Sequence, residues 1–187
     1  MNNFPKHWKK FKFEDVLQYE QPAKYIVKST EYSDEYEIPV LTAGKSFILG
    51  YTDEKDGIFT DIPVIIFDDF TTATKFVDFK FKVKSSAMKI LKPSDNANIK
   101  FLFYLMQTIY HKSDTHKRYW ISEYAKREIL LPLLSEQNLI VSEIEKRFEV
   151  ADKSLNLIEQ SLQKAENLKQ SILQKAFNGE LIKDKNE

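Results

Sequence analysis

The sequence contains no cysteine. That excludes disulfides, thiolate metal sites and a cysteine nucleophile. It has only four glycines in 187 residues, and they are scattered. A Rossmann or P-loop fingerprint needs them clustered. Ala43-Gly44-Lys45-Ser46 echoes the end of a phosphate loop, but the motif's first glycine is missing. Lys45 therefore reads as a surface or phosphate contact. Histidine is scarce too: there are three. His111 and His116 lie five apart in a polar segment, a poor spacing for zinc without cysteine support, so no metal is expected. The longest aliphatic run, near Ile129–Leu134, is too short to span a bilayer. Met1–Lys12 lacks the apolar core of a signal peptide, and a cytoplasmic protein is the expectation.

Net charge is also absent, with 28 Lys/Arg against 28 Asp/Glu. The charges are nevertheless unevenly placed. Residues 1–74 hold eight Lys/Arg and thirteen Asp/Glu, a net of −5. Residues 75–127 hold twelve Lys/Arg and four Asp/Glu, a net of +8. Such asymmetry points either to a cationic face for nucleic acid or to lysines that merely keep strands soluble.

What the chain does have is one long helical pattern. Glu136–Phe177 runs 42 residues without Gly or Pro, mostly in residues that favour helix. In heptads, Val141, Phe148, Leu155, Leu162, Lys169 and Ala176 fall at a. Ile144, Ala151, Ile158, Ala165 and Ile172 fall at d. Only Lys169 breaks the apolar seam. At 1.5 Å per residue this helix is about 60 Å long, more than the width of a small domain. It therefore needs another long helix, either simply to dimerise or to act as a ruler. Ser135 is placed to cap its start, and Asn178-Gly179 to end it.

The first 134 residues read as an α+β domain with a mixed β-sheet and packed helices. Phe13–Leu17 suits a short helix, ended by Tyr19-Glu20-Gln21-Pro22. Strands are expected at Ile38–Leu41, Phe47–Tyr51, Val64–Phe67, Met88–Leu91 and Glu128–Leu131. Phe79, Phe81 and Val83 alternate with Lys80, Lys82 and Lys84, which predicts a strand with three lysines on its solvated face. Helices are expected from Ala97 to Tyr110 and near Ser122–Arg127. The domains expected are thus residues 1–134, a helix over 135–179 and a tail over 180–187.

Two polar loops offer chemistry suited to nucleic acid. Thr71, Thr72, Thr74 and Lys75 supply hydroxyls and a cation. Lys112, His116, Lys117, Arg118 and Tyr119 supply three cations, an imidazole and a phenol. Lysine and arginine neutralise phosphates, and Arg118 has the fork that reads guanine. For any one of these residues, a plain solvated loop is the competing reading. A second chemistry is a magnesium-dependent nuclease: Asp69 with Asp78-Phe79-Lys80 resembles its acid and acid-x-Lys pattern. Lys82 and Lys84, continuing the same face, speak against it.

Glu166-Asn167-Leu168-Lys169-Gln170-Ser171-Ile172-Leu173-Gln174-Lys175-Ala176-Phe177-Asn178-Gly179-Glu180-Leu181 resembles the end of the conserved helices in specificity subunits of type I restriction-modification enzymes. Ile172-Leu173 stands for that family's paired leucines. Leu131-Pro132-Leu133-Leu134-Ser135-Glu136-Gln137 resembles its approach to the helix. Tyr19-Glu20-Gln21-Pro22 and Ser85-Ser86-Ala87-Met88-Lys89-Ile90-Leu91 are similar to segments of one class of its target-recognition domains. The resemblance implies a non-catalytic, half-length HsdS with one target-recognition domain and one spacer helix. A full subunit has two of each, reads a bipartite site and docks methyltransferase subunits. Homodimerisation through antiparallel helices would restore that arrangement. The resemblance also implies cofactors on partners only. S-adenosylmethionine belongs with the methyltransferase (modification) subunit, and ATP and Mg with the translocase-nuclease (restriction) subunit. A stand-alone dimeric DNA-binding regulator is the main alternative.

Overall fold

The computed structural model describes residues 5–42, 46–109 and 118–182. In chain order the elements are β1 (Lys9–Lys12), α1 (Phe13–Val16), β2 (Leu17–Glu20), a 3-10 turn (Pro22–Tyr25), β3 (Ile38–Leu41) and β4 (Ile48–Thr52). β5 (Val64–Asp68), β6 (Thr74–Val77), β7 (Lys82–Val83), β8 (Met88–Pro93) and α2 (Ile99–Gln107) follow. A π-helical turn (Trp120–Tyr124), β9 (Glu128–Leu131) and α3 (Leu134–Phe177) complete them. Two compact units result, Met1–Val141 and Ser142–Glu187. The first two turns of α3 thus belong with the domain.

The centre of the first unit is a sheet in the order β2-β8-β5-β6, with every described pairing antiparallel. β5 is buried along its whole length. That is why Val64-Ile65-Ile66-Phe67 reads as an unbroken apolar run rather than an alternation. Ile65, Phe67 and Leu91 face one core with Leu102, Met106, Trp120, Tyr124 and Val141. Val64, Ile66, Met88 and Ile90 face a second core with Leu41, Val83, Phe59 and Phe81. The second core is closed by the sheet β4-β3-β7, where β3 and β7 run parallel. β1 and β9 form a separate antiparallel pair.

The junction motif before the long helix has a physical role. Gln137 is 1% exposed. Its Nε2 donates to the Pro132 carbonyl at 3.0 Å, and its Oε1 accepts from the Asn98 N–H at 2.8 Å. Asn98 in turn caps α2 by accepting from the Lys100 and Phe101 amides. Glu136 binds His7 and the Trp8 indole. One Glu-Gln pair therefore ties the chain's start, α2 and α3 together. α3 begins at Leu134, one residue before the expected cap, so Ser135 lies inside its first turn. Its end is as expected. Gly179 has φ +76, with Glu180 N–H bonded to the Lys175 carbonyl and Gly179 N–H to that of Ala176. This pattern closes a helix through a left-handed glycine.

The predicted lysine-faced strand is corrected. Only Lys82–Val83 is strand, and Lys82 is 1% exposed. Its Nζ lies 2.8 Å from Glu54 and donates to the Asp56 carbonyl. Lys89 is also buried, against Asp69 at 3.1 Å. Lys92 pairs with Glu20 and Asp61, and Lys80 with Glu37. In all four cases the cation comes from residues 75–127 and the acid from residues 1–74. Part of the charge asymmetry is thus neutralised by pairing across the fold, and two of these pairs are buried.

Burial pushes the Glu54 carboxyl upward, but the Lys82 hydrogen bond and the Ser29 and Lys28 amides outweigh it. The result falls from the ordinary 4.5 to about 2. A lowered folded pKa stabilises above about pH 4.5, and that stability is lost as pH falls toward 2. Glu54→Gln should therefore destabilise the protein at pH 7, by about 1–2 kcal/mol once solvent screening is allowed for. In urea denaturation the gap to wild type should close as pH falls from 4.5 toward 2. A gap constant with pH would show that the carboxylate charge contributes nothing.

Candidate nucleic-acid interface

The turn between β5 and β6 is built by one acid. Asp68 Oδ1 accepts from the Phe70 and Thr71 amides, and its Oδ2 accepts from the Thr71 hydroxyl at 2.6 Å. An aspartate opening a turn does this because its short side chain replaces backbone acceptors. The Thr72 N–H donates to the Asp68 carbonyl at 2.9 Å, and Thr72 has φ +61. A β-branched residue in the left-handed region is strained, and such strain collects at functional sites.

Other segments gather at this end of the central sheet. The Asp69 N–H reaches the Ala87 carbonyl at 3.2 Å, which places the Ser85–Ala87 turn alongside. The Tyr119 N–H donates to the Asp69 carbonyl at 2.9 Å, so exposed Arg118 stands next to the hairpin. Lys75 Nζ lies 6.0 Å from the Phe47 ring, bringing the end of the β3–β4 connection to the same place. The Thr74 hydroxyl accepts from the Gln107 amide, linking the hairpin to the last turn of α2.

Of the residues expected to touch DNA, the fold thus brings Thr71, Thr72, Thr74, Lys75 and Arg118 to one end of one sheet. Tyr119 is a correction: it is 2% exposed and belongs to the apolar core, so its ring is not presented outward. Lys45, Lys112, His116 and Lys117 lie outside the described residues, as does His111. Sequence reasoning missed Asp68 as the organiser of the turn, although an aspartate three residues before a threonine was a usable signal. It also missed Gln107 and Phe47, whose roles come only from distant pairing.

The nuclease arrangement does not assemble. Asp69 sits at the Phe67–Thr74 end of the β5–β6 hairpin, whereas Asp78 follows Val77 at the Val64 end. Four strand residues separate the two ends, about 13 Å. The Asp69 carboxylate is occupied by Lys89 and the Trp120 amide. Lys80 pairs with Glu37. Among the described residues, no group of three or more His, Cys, Asp or Glu is placed to hold a metal. A groove of about 520 Å³ beside Trp8, Leu105, Ile109 and Ile129 holds none of the expected site residues. Among the same residues, no helix is long and apolar enough to cross a membrane.

The family described as the type I restriction modification DNA specificity domain matches residues 5–167. The chain belongs to this family. The specificity subunit of the type I restriction enzyme EcoR124I/EcoR124II of Escherichia coli is 52% identical over 125 residues. That match covers 63% of this chain and 31% of the relative. A structure reported for complex assembly and conformational transition of the type I R-M system superposes with a TM-score of 0.73 at 18% identity. It covers 96% of this chain and 48% of that one. The HsdS subunit of Thermoanaerobacter tengcongensis gives a TM-score of 0.54 at 19% identity, over 96% of this chain and 47% of that one. The type I restriction-modification S subunit from M. genitalium gives 0.58 at 16% identity, over 95% and 47%. At these identities the structural likeness shows the fold. The specificity-family chain spans about half the length of these solved chains and about a third of the curated relative.

The strain at Thr72 is measurable. Asparagine tolerates the left-handed region better than a β-branched residue. Thr72→Asn should stabilise the protein by about 1 kcal/mol. For a chain of this size that is a rise of about 2–4 °C in Tm. A fall in Tm would show that Thr72 makes contacts worth more than the strain.

Proposed function

We propose that this chain is the DNA sequence recognition subunit of a type I restriction-modification complex, working as a homodimer on a bipartite inverted-repeat site. The observation that carries this reading is the apolar helix seam left exposed along α3. α3 runs 44 residues, about 66 Å. Phe148, Leu155, Ile158 and Leu162 are each more than half exposed, and Ile172 is 44% exposed. Ile144 is half-buried, and Ala151, Ala165 and Ala176 continue the stripe as small exposed residues. Val141 is a correction: it is 5% exposed in the domain's own core, so the open seam starts at Ile144. A second copy, laid antiparallel, covers this seam and supplies a second recognition domain.

The subunit's role is recognition, with no catalytic step of its own. Val150 and Leu157, both at c positions and exposed, lie off the seam that a second copy would cover. They suit a further apolar partner, which favours docking of a methyltransferase subunit over a stand-alone regulator. S-adenosylmethionine would then act on that partner, and ATP with Mg on a translocase-nuclease subunit.

Identical domains related by a two-fold axis read identical half-sites. Selection from random duplex DNA should return two short inverted half-sites around an unread spacer. Inserting one heptad in α3 should lengthen the spacer by roughly three base pairs, since the overlap grows by about 10 Å. A non-palindromic consensus from the purified homodimer would exclude symmetric reading.

Leu155→Glu with Leu162→Glu should give monomers in ultracentrifugation, because paired helices would bury unpaired carboxylates. A wild type that stays monomeric at high micromolar concentration defeats the homodimer. Lys75→Ala and Arg118→Ala should each weaken binding and lower the log–log salt slope by about one. Unchanged slopes would move the interface away from this end of the sheet.

A further inference from the structure

Two adjacent acids follow Phe67, and the turn uses only the first. The bonds of Asp69 run elsewhere. It is 1% exposed. Its N–H donates to the Ala87 carbonyl, and its own carbonyl accepts from the Tyr119 N–H. Its Oδ1 accepts from the Trp120 N–H at 2.9 Å. Its Oδ2 is held 3.1 Å from Lys89 Nζ. Lys89 is fully buried on β8, opposite Phe67, with its Nζ 5.7 Å from the Tyr19 ring. One residue therefore joins three segments: the β5–β6 turn, the turn before β8 and the segment that carries Arg118.

A buried ion pair is a poor device for stability alone. Desolvating both charges offsets most of their attraction, and apolar residues of similar volume often serve as well or better. What the pair adds is placement. Asp69 Oδ2 and Lys89 Nζ are 3.1 Å apart without an aligned hydrogen bond, so their attraction holds the carboxylate at this spot while the Trp120 amide, donating to Oδ1, gives it direction. We propose that Asp69, held in place by Lys89, is a positioning residue for DNA reading: it sets the distance between the Thr71–Lys75 turn and Arg118 so that both meet one duplex in register. This rests on the DNA recognition proposed above. Phosphate contacts tolerate small displacements, whereas base contacts do not. Loss of the device should therefore erode specificity before it erodes affinity.

The test uses the full chain, a duplex carrying the selected site and a scrambled duplex of equal length. Wild type is compared with Asp69→Asn/Lys89→Met, which removes both charges but keeps an acceptor. The third protein, Asp69→Leu/Lys89→Met, removes the acceptor as well. The Leu/Met protein should lose roughly tenfold or more in discrimination between the duplexes, within the range of one misplaced base contact, and the Asn/Met protein about threefold, less than a whole contact. Affinity for the scrambled duplex should change less than about twofold, because its phosphate contacts survive. Hydrogen exchange at the Trp120 amide should be slow in wild type and fast in the Leu/Met protein.

Equal discrimination by all three overturns the proposal. So does loss of both affinities in proportion to the folded fraction, the mark of a merely structural role. If the Leu/Met protein does not fold, the Asn/Met protein decides alone, and wild-type discrimination in it overturns the proposal. A wild type that prefers neither duplex overturns DNA recognition itself, and the inference with it. That failure is distinguished by appearing before any substitution is made.

Discussion

The central strand β5 is dry on both faces, and this constrains every charge placed beside it. β5 is buried from Val64 to Asp68, with one apolar core on each side. An ionised group in such a place is tolerated only with its counterion at contact distance. Lys89 on β8 obeys that rule, paired with Asp69, and so does Lys82 on β7 of the neighbouring sheet, paired with Glu54. Both acids lie earlier in the chain than their lysines. Part of the contrast between the acidic first part and the basic middle of the sequence is therefore ion pairing within the fold. Lys75 and Arg118 remain exposed.

The same constraint shapes the candidate interface. At the end of β5 the chain must turn without losing its backbone bonds to water. Asp68 supplies the missing acceptors for the turn, and Asp69 directs its bonds to the neighbouring segments. A hairpin tip is thereby tied to Ala87, Tyr119 and Trp120, none of which is near it in sequence. Loops that read a ligand need such a rigid base, because a loop held only at its own ends cannot keep a fixed distance to another.

Local order was legible from the sequence; pairing across the chain was not. The long helix, its glycine end, β3, β5, β9 and the short helix after Phe13 all follow from periodicity or local residue chemistry. Lys82 shows the limit. Its alternation with Phe81 and Val83 argues for a solvated lysine, and only Glu54, 28 positions earlier, makes burial possible. Tyr119 and Val141 show the same limit. Each fits a local pattern, a basic loop and a heptad seam, yet each is taken by the domain core. Periodicity says which residues share a face, not what covers that face. The resemblance supplied the family where the residues alone supplied only a basic loop and a seam.

The long helix poses the remaining physical question. Beyond Val141 its apolar residues are mostly exposed, including Leu155, Leu157, Ile158, Leu162, Leu168 and Leu173. An exposed apolar surface of this extent marks an interaction site rather than a tolerated surface. Ion pairs such as Glu143–Arg147 and Glu149–Lys153 support the helix locally, but each is worth only a few tenths of a kcal/mol. They hold the helical form without covering the seam. In the homodimer proposed above, two such helices side by side would cover one another's apolar residues. The length of their overlap would then set the distance between the two half-sites on DNA, so that a stripe of exposed leucines and a measure of spacing would have one physical cause.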